Sequence, residues 1–265
     1  MIPGSRDEWT AWLAARGRET TAAVMFATRL PLVRAAADAG AGAAEKGLAP
    51  AVWALPLAGL VVGIIAALVF ALAHRLGLTA WPAAALAVAA GMAVTGCLHE
   101  DGLADTIDGF GGGAAREQKL AIMRDSRIGT YGVCALAVSI LIRVAALASL
   151  ADPGAAAFAL IAAHASARAT LPVFMSFVAP ARTDGLSALV GQPGREQALT
   201  AAAIGVAALL ICLGVGPAIV ALVALAIVTA LVARLTVVQI GGQTGDVIGA
   251  LEQACEIAVL LVAVG

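Results

Sequence analysis

Val52-Trp-Ala-Leu-Pro-Leu-Ala-Gly-Leu-Val-Val-Gly-Ile-Ile-Ala-Ala-Leu-Val-Phe-Ala-Leu-Ala73 carries no charged side chain. At 1.5 Å per residue, an apolar helix of about 20 residues crosses the ~30 Å hydrocarbon core of a bilayer. Working outward, further apolar runs lie near 80–98, 131–150, 155–178, 198–213, 218–233 and 247–264, which makes about seven candidate transmembrane helices. Two of them, 198–213 and 218–233, are short, and only Gly214-Val-Gly-Pro217 separates them, which predicts a tight turn between antiparallel helices. Of the 265 residues, 62% are hydrophobic and 12% charged, against roughly half and a quarter in soluble domains. The fold class is therefore all-α, a polytopic integral membrane helical bundle forming one domain over 1–265.

The same composition excludes other classes. Low charge argues against disorder, and a net charge of -1 without a basic block argues against nucleic-acid binding. Cys97, Cys134, Cys212 and Cys255 are scattered and have no C-x-x-C spacing, so they read as small apolar residues. No internal repeat of the transporter kind is visible.

The first fifty residues form an N-terminal segment without the apolar core of a signal peptide. Ser5-Arg-Asp-Glu8 has the capping-box form, and Trp9, Trp12 and Leu13 follow on one helical face. This predicts a short amphipathic helix on the membrane surface. Segment 22–34, interrupted by Arg29-Leu-Pro31, is too short to span and reads as re-entrant or interfacial.

With the N-terminus taken as cytoplasmic, 13 of the 16 Lys and Arg residues fall inside, Arg75 alone falls outside, and Arg143 and Arg168 lie within spans. The positive-inside rule then places the N-terminus and all long polar loops in the cytoplasm and the C-terminus on the opposite side.

Polar residues concentrate in that cytoplasmic part, above all between 99 and 130. Asp101, Asp105 and Asp108 are spaced i, i+4, i+7, and no Lys or Arg occurs between 99 and 115. If the second span continues inward as a helix, the three carboxylates share one face and repel unless a cation neutralises them. Oxygen-only ligands suit Mg2+. Downstream, Gly109-Phe-Gly-Gly-Gly113 and Met123-Arg-Asp-Ser-Arg-Ile-Gly-Thr-Tyr-Gly132 supply glycines, the forks of Arg124 and Arg127, and the hydroxyls of Ser126 and Thr130, a set suited to phosphate.

A second constellation opens the last span: Gly241-Gly-Gln-Thr-Gly-Asp246, then Glu252 and Glu256. Thr244 and its glycines at a helix start also suit phosphate. Asp246 and Glu256 lie nearly three turns apart, ~15 Å, and cannot share one atom. Arg143 and Arg168, near the middles of adjacent spans, each need an anion, a protein carboxylate for at least one of them and ligand phosphate for the other at best.

These residues carry a family resemblance. Phe26-Ala-Thr-Arg29-Leu-Pro31, His99-x-Asp-Gly-Leu-Ala-Asp-x-x-Asp-Gly109, Met123-Arg-Asp-Ser-Arg-x-Gly-Thr-x-Gly132, and Gly241-Gly-Gln-Thr-Gly-Asp246 with Gly249 and Glu256 run in an order similar to that of the cobalamin synthases, the adenosylcobinamide-GDP ribazoletransferases. The departures are Glu100 inside the aspartate motif and Ala167-Arg168 in place of a Ser-Arg pair.

The resemblance implies a Mg2+-dependent condensation of adenosylcobinamide-GDP with α-ribazole or its 5′-phosphate, releasing GMP, at the inner membrane. It also implies a metal set of Asp101, Asp105, Asp108 and Asp246, with catalytic carboxylates among Asp105, Asp108 and Asp125. Substrate and phosphate contacts are expected from Arg29, Arg124, Ser126, Arg127, Thr130, Arg168, Thr244 and Glu256. The partners so implied are these small molecules and the bilayer, with association into homo-oligomers or with other corrinoid-assembly enzymes compatible. Rival readings are a lipid CDP-alcohol phosphotransferase, disfavoured because Asp105 rather than Arg follows Ala104, a cation- or proton-coupled transporter, and a membrane scaffold.

Overall fold

A computed structural model describes residues 4–31, 48–150, 152–185, 187 and 190–265. Among them every named element is helical: α1 (Arg6–Ala27), a 3-10 turn (Ala49–Ala54), α2 (Leu55–Arg75), α3 (Ala80–Thr95), α4 (Leu98–Gly112), α5 (Arg116–Ile122), α6 (Thr130–Ser149), α7 (Pro153–Phe177), α8 (Arg195–Leu213), α9 (Val215–Ile240) and α10 (Gly245–Val264). Six stretches are individually long and apolar enough to cross a membrane: α2 with its 3-10 turn, α6, α7, α8, α9 and α10. A seventh crossing is made only by counting α3 with α4, which are bent by 90°.

The bend corrects the idea that the second span continues straight into the acidic segment. Gly96 (φ 65°) and Cys97 (φ 57°) both adopt left-handed backbone, and two such residues in succession turn the chain sharply. A side chain at Gly96 would stand 2.7 Å from Arg29 Nε, so the missing Cβ also makes room for the Arg29 side chain at the elbow. Arg29 is tied there by its backbone N–H, which donates to Val94 O at 2.7 Å.

Two further boundaries differ from expectation. Gly214 alone (φ 78°) separates α8 from α9, and Pro217 falls within the first turn of α9, where its missing N–H is harmless. α9 therefore runs 26 residues and is no short span. At the N-terminus the capping box forms, with Ser5 Oγ accepting from Glu8 N–H at 3.2 Å, but the helix continues to Ala27 and absorbs the first part of segment 22–34. Residues 32–34 lie outside the described residues. Trp9, Trp12 and Leu13 are exposed, while the helix is fastened to the bundle near its middle, where Trp53 Nε1 donates to Glu19 Oε2 at 2.6 Å.

α7 is the most enclosed of the spans. α2 lies against it backbone to backbone, since a Cβ on Gly59 would sit 2.2 Å from His164 O and one on Gly63 2.8 Å from Ile161 Cα. In lipid, where apolar surface gains little from contact with another helix, such close approach is what holds helices together.

Candidate active site

The acidic helix α4 lies across the first turns of α10. A Cβ on Gly102 would meet Asp246 O at 2.7 Å, and one on Gly249 would stand 3.2–3.3 Å from His99 and Gly102 backbone. These two glycines let the Asp101–Asp105 segment approach Asp246, 141 positions further along the chain. Thr244 then orients that carboxylate: its hydroxyl accepts from Val247 N–H at 3.3 Å, capping α10, and donates to Asp246 Oδ2 at 3.2 Å. Thr244 is fully buried, so it is a helix cap and not the phosphate contact expected from the sequence.

Asp101, Asp108 and Asp246 all place negative charge on the half-buried Asp105. Crowded carboxylates of this kind favour a bound cation or a shared proton. The third member of the face has another duty. Asp108 accepts from Gly129 N–H at 2.7 Å and Gly132 N–H at 2.9 Å, a charged cap on the N-terminus of α6. A Cβ at either glycine would stand 2.4 Å from an Asp108 oxygen. Both Asp108 oxygens are thus engaged by backbone, which gives Asp108 a structural duty beside the metal and catalytic roles expected from the sequence.

The glycine run is corrected likewise. Gly109 and Gly112 belong to α4, and a Cβ at Gly109 would be 2.4 Å from Met123 Cγ, at Gly111 2.9 Å from Tyr131, and at Gly113 2.6 Å from Lys119 Cγ. The run is a packing surface for α5 and the start of α6, not a loop of free amides.

A groove of about 420 Å³ lies beside the acids, lined among others by Cys97, Glu100, Asp101, Asp105, Arg124, Asp125 and Ser126. Arg124 and Ser126 therefore do join the acidic helix. Arg124 Nη2 contacts both oxygens of Asp184 at 2.6 Å, and Arg182 reaches Asp184 at 3.8 Å and Asp246 at 3.6 Å. Arg127 is bound to Asp125, Nη2 to Oδ2 at 2.6 Å and Nε to Oδ1 at 3.0 Å. The Arg127 hydrogen bonds hold the Asp125 carboxyl down to about 2. A group so acidic accepts protons poorly near neutral pH, which argues against Asp125 as the base. Thr130 is exposed in the first turn of α6 and Arg29 is exposed at the elbow; neither lines the groove.

Arg116 secures the second constellation, donating from Nε to Ile240 O at 2.8 Å and from Nη2 to Ala181 O at 2.6 Å. Lys119 donates to Gln239 Oε1. Gln243 bridges the segment 179–181, with Gln243 N–H to Ala179 O at 2.9 Å and Ala181 N–H to Gln243 O at 2.8 Å. The Gly241–Asp246 turn is thereby fixed against the loop that carries Arg182 and Asp184. Neither of those residues stood out in the sequence beyond Arg182 counting as an inside charge.

Below the groove lies a buried ionic network. Arg143 Nη1 donates to Glu100 Oε1 at 3.1 Å and Glu256 Oε1 at 3.4 Å, Arg168 Nη1 lies 2.6 Å from Glu252 Oε1, and His164 Nδ1 lies 3.3 Å from Glu256 Oε2. Both mid-span arginines have protein carboxylates, which meets the expectation of at least one and leaves neither relying on ligand phosphate. Arg168 and Glu256 are 1% and 2% exposed, so neither reaches phosphate in the groove. Among the described residues, only His164, Glu252 and Glu256 bring three ligand atoms within 4.8 Å, and guanidinium groups already neutralise the two glutamates. Asp101, Asp105 and Asp246 stand more openly; to share a cation, Asp246 must exchange its Arg182 contact for it.

Comparison with known proteins gives the family. The family described as cobalamin-5-phosphate synthase matches residues 19–264. Proteins named adenosylcobinamide-GDP ribazoletransferase are 53% identical in Bradyrhizobium diazoefficiens, over 91% of both chains. The identity is 55% in Mesorhizobium japonicum, over 91% of this chain and 90% of the relative, and 48% in Azorhizobium caulinodans, over 91% and 92%. No solved structure matches the chain. A match over nearly the full length, together with the aspartate helix, the Arg-Asp-Ser-Arg loop and the Gly241–Asp246 turn meeting at one place, means that the chain belongs to the cobalamin-5-phosphate synthase family.

Proposed function

We propose that the chain joins α-ribazole, or its 5′-phosphate, to adenosylcobinamide-GDP with release of GMP, the closing step of cobalamin assembly. The observation that carries this reading is the groove itself, which brings the carboxylates Asp101 and Asp105 together with Arg124 and Ser126, the residue types that phosphoryl transfer between a diphosphate and a hydroxyl requires.

Asp101 and Asp105 fit a magnesium ion, being oxygen donors with no cation between residues 99 and 115 to balance them, and Asp246 would join them on leaving Arg182. Bound there, the ion would neutralise the diphosphate of the donor. Asp105, the carboxylate most crowded by its neighbours, takes the proton of the ribazole 5′-hydroxyl. The freed oxygen attacks the β-phosphorus, a new P–O ester bond forms, and the bond to the bridging oxygen breaks, so that its electron pair leaves with GMP. Arg124, with Ser126, holds the departing phosphate, while Arg127 stays on Asp125 outside the lining of the groove. The Arg124–Asp184 pair is a surface ion pair, worth only about 0–1 kcal/mol, and yields readily to phosphate.

The distribution of Lys and Arg supports an inner-membrane enzyme with its N-terminus and groove facing the cytoplasm and Gly265 on the other side. A periplasm-active reporter fused after Gly265 should be active; activity only when it is fused at the N-terminus would reverse the topology.

The deciding experiment supplies the purified protein, in detergent or lipid, with adenosylcobinamide-GDP and α-ribazole. Magnesium-dependent GMP release with formation of a cobalamin, stopped by EDTA, is expected. Folded protein that forms no product under either condition would overturn the reading.

A further inference from the structure

The chain that leaves α7 is fastened closely for a connection between spans. Ala181 is held on both sides, its N–H donating to Gln243 O at 2.8 Å and its O accepting from Arg116 Nη2 at 2.6 Å. A Cβ on Gly242 would collide with Ala179 O, so the Gly241–Asp246 turn lies directly on this loop. Further on, Ser187 Oγ donates to Gln243 Oε1 at 2.9 Å. Between these anchors Gly185 adopts left-handed backbone (φ 90°), and a Cβ there would stand 3.2 Å from Arg182 Nη2 and 3.3 Å from its Nε. Together these contacts fix the place of one guanidinium, that of Arg182.

Arg182 stands between two carboxylates and hydrogen-bonds neither. Its Nη2 lies 3.6 Å from Asp246 Oδ2 and its Nε 3.8 Å from Asp184 Oδ1, both beyond hydrogen-bond length. Its buried Nη1 has no partner at all, and an orphaned donor calls for an explanation. A guanidinium with charge partners but unused donors suits an anion that takes two N–H groups at once, as phosphate does. The residue is also wired to the groove. Asp184 is shared with Arg124, which lines it, and both Arg124 and Asp101 act electrostatically on Asp246. Asp246, Arg182, Asp184 and Arg124 thus form a chain of alternating charge that ends at the groove.

We infer that Arg182 is a ligand for the diphosphate of the donor, held in reserve on Asp246 until that carboxylate turns to the cation. The inference rests on the reaction proposed above. Guanidinium and divalent cation compete for the charge of Asp246 and repel each other at close range. The Arg182 side chain is only 17% exposed, so once released from Asp246 it needs another anion. Asp184 offers little, being exposed and already holding Arg124 with both oxygens. The diphosphate supplies the missing charge and accepts the unused N–H groups. A cation arriving alone must displace Arg182 without compensation, whereas a cation arriving with diphosphate need not. Each therefore strengthens the binding of the other, by the same factor in both directions.

The test compares wild type, Arg182→Gln and Arg182→Lys in lipid nanodiscs with two probes. Mn2+ binding without nucleotide is followed by electron paramagnetic resonance, and adenosylcobinamide-GDP binding is measured at equilibrium with Mg2+ and without acceptor. An arginine that only supports the loop would lower both affinities or neither. Opposite signs are expected instead. Arg182→Gln should bind Mn2+ about threefold tighter, because the competing charge is gone, and the donor at least about tenfold more weakly, because charge-assisted hydrogen bonds to phosphate are lost. Arg182→Lys keeps the charge but not the fork, so it should hold Mn2+ as wild type does and lose part of the donor affinity; it decides the matter if Arg182→Gln does not fold. Mn2+ affinity unchanged or lowered in Arg182→Gln, or donor affinity untouched in the variants, would overturn the inference, as would wild type that fails to bind either probe. If the opposite shifts appear in protein that forms no cobalamin from donor and α-ribazole, the proposed reaction fails while the role of Arg182 stands.

Discussion

At the scale of single residues, the carboxylates of α4 divide into two kinds that the sequence makes look alike. Asp101 and Asp105 face the groove, whereas Asp108 caps α6 through Gly129 and Gly132. Their substitutions should therefore part company. Asp105→Asn is expected to abolish turnover, and the stabilisation by Mg2+ seen in thermal unfolding, while leaving the unfolding midpoint without metal near that of wild type; near-normal activity would exclude it from the metal face. Asp108→Ala loses two hydrogen bonds to a carboxylate and a helix cap, and should cost about 2 kcal/mol or more, read as a lowered thermal midpoint in detergent. Asp125→Ala should leave turnover within a few fold, since a carboxyl held at about 2 by Arg127 is too weak a base to take a hydroxyl proton. The acidic cluster itself was legible because acids without interspersed cations are unusual. The duty of Asp108 was not, because its partners lie 21 and 24 residues away and their glycines read equally well as a phosphate loop.

At the scale of helices, the apolar runs were readable because lipid demands length and hydrophobicity, and those demands are written locally. The elbow was not readable: Cys97 in left-handed backbone (φ 57°) is a departure from residue preference that the surroundings enforce. The crossing of α4 over α10 was hidden for a similar reason, since Gly102 and Gly249 are separated by most of the chain. That crossing sets the spacing between Asp105 and Asp246, so it can be tested by bulk alone. In Gly102→Val the new side chain begins 2.7 Å from Asp246 O and must push the helices apart. Displacements near 1 Å at a reacting centre cost about a hundredfold in rate, and a loss of that order in kcat, with the helical circular dichroism of wild type, is expected. Unchanged kcat would mean that Asp246 takes no part.

At the scale of the molecule, α4, α6, α7 and α10 are locked together by charge at a depth where unpaired charge is expensive. His164 and Arg168 are spaced i, i+4 on α7, and Glu252 and Glu256 are spaced i, i+4 on α10, so two pairs of complementary residues rise at the same pitch and meet across the helix interface. That complementarity was in the sequence, but only the packing of α7 on α10 reveals it. Arg143 closes the network by binding Glu100 and Glu256 together. Its removal leaves two buried carboxylates facing each other without a cation, a situation that costs about 3–5 kcal/mol, whereas exchanging a whole buried set for neutral groups is often nearly free. Arg143→Met should therefore unfold well below wild type in detergent, and Arg143→Met combined with Glu100→Gln and Glu256→Gln should recover most of the loss. If the single variant were as stable as wild type, the network would be incidental to the fold. If the triple variant were stable but inactive, with normal ribazole binding, the charge on Glu100 would be acting on the groove that it lines. Because Glu100 also lines the groove, stability and turnover should fall together in the single variant, whereas the triple variant should recover stability without recovering the charge that Glu100 presents to the groove.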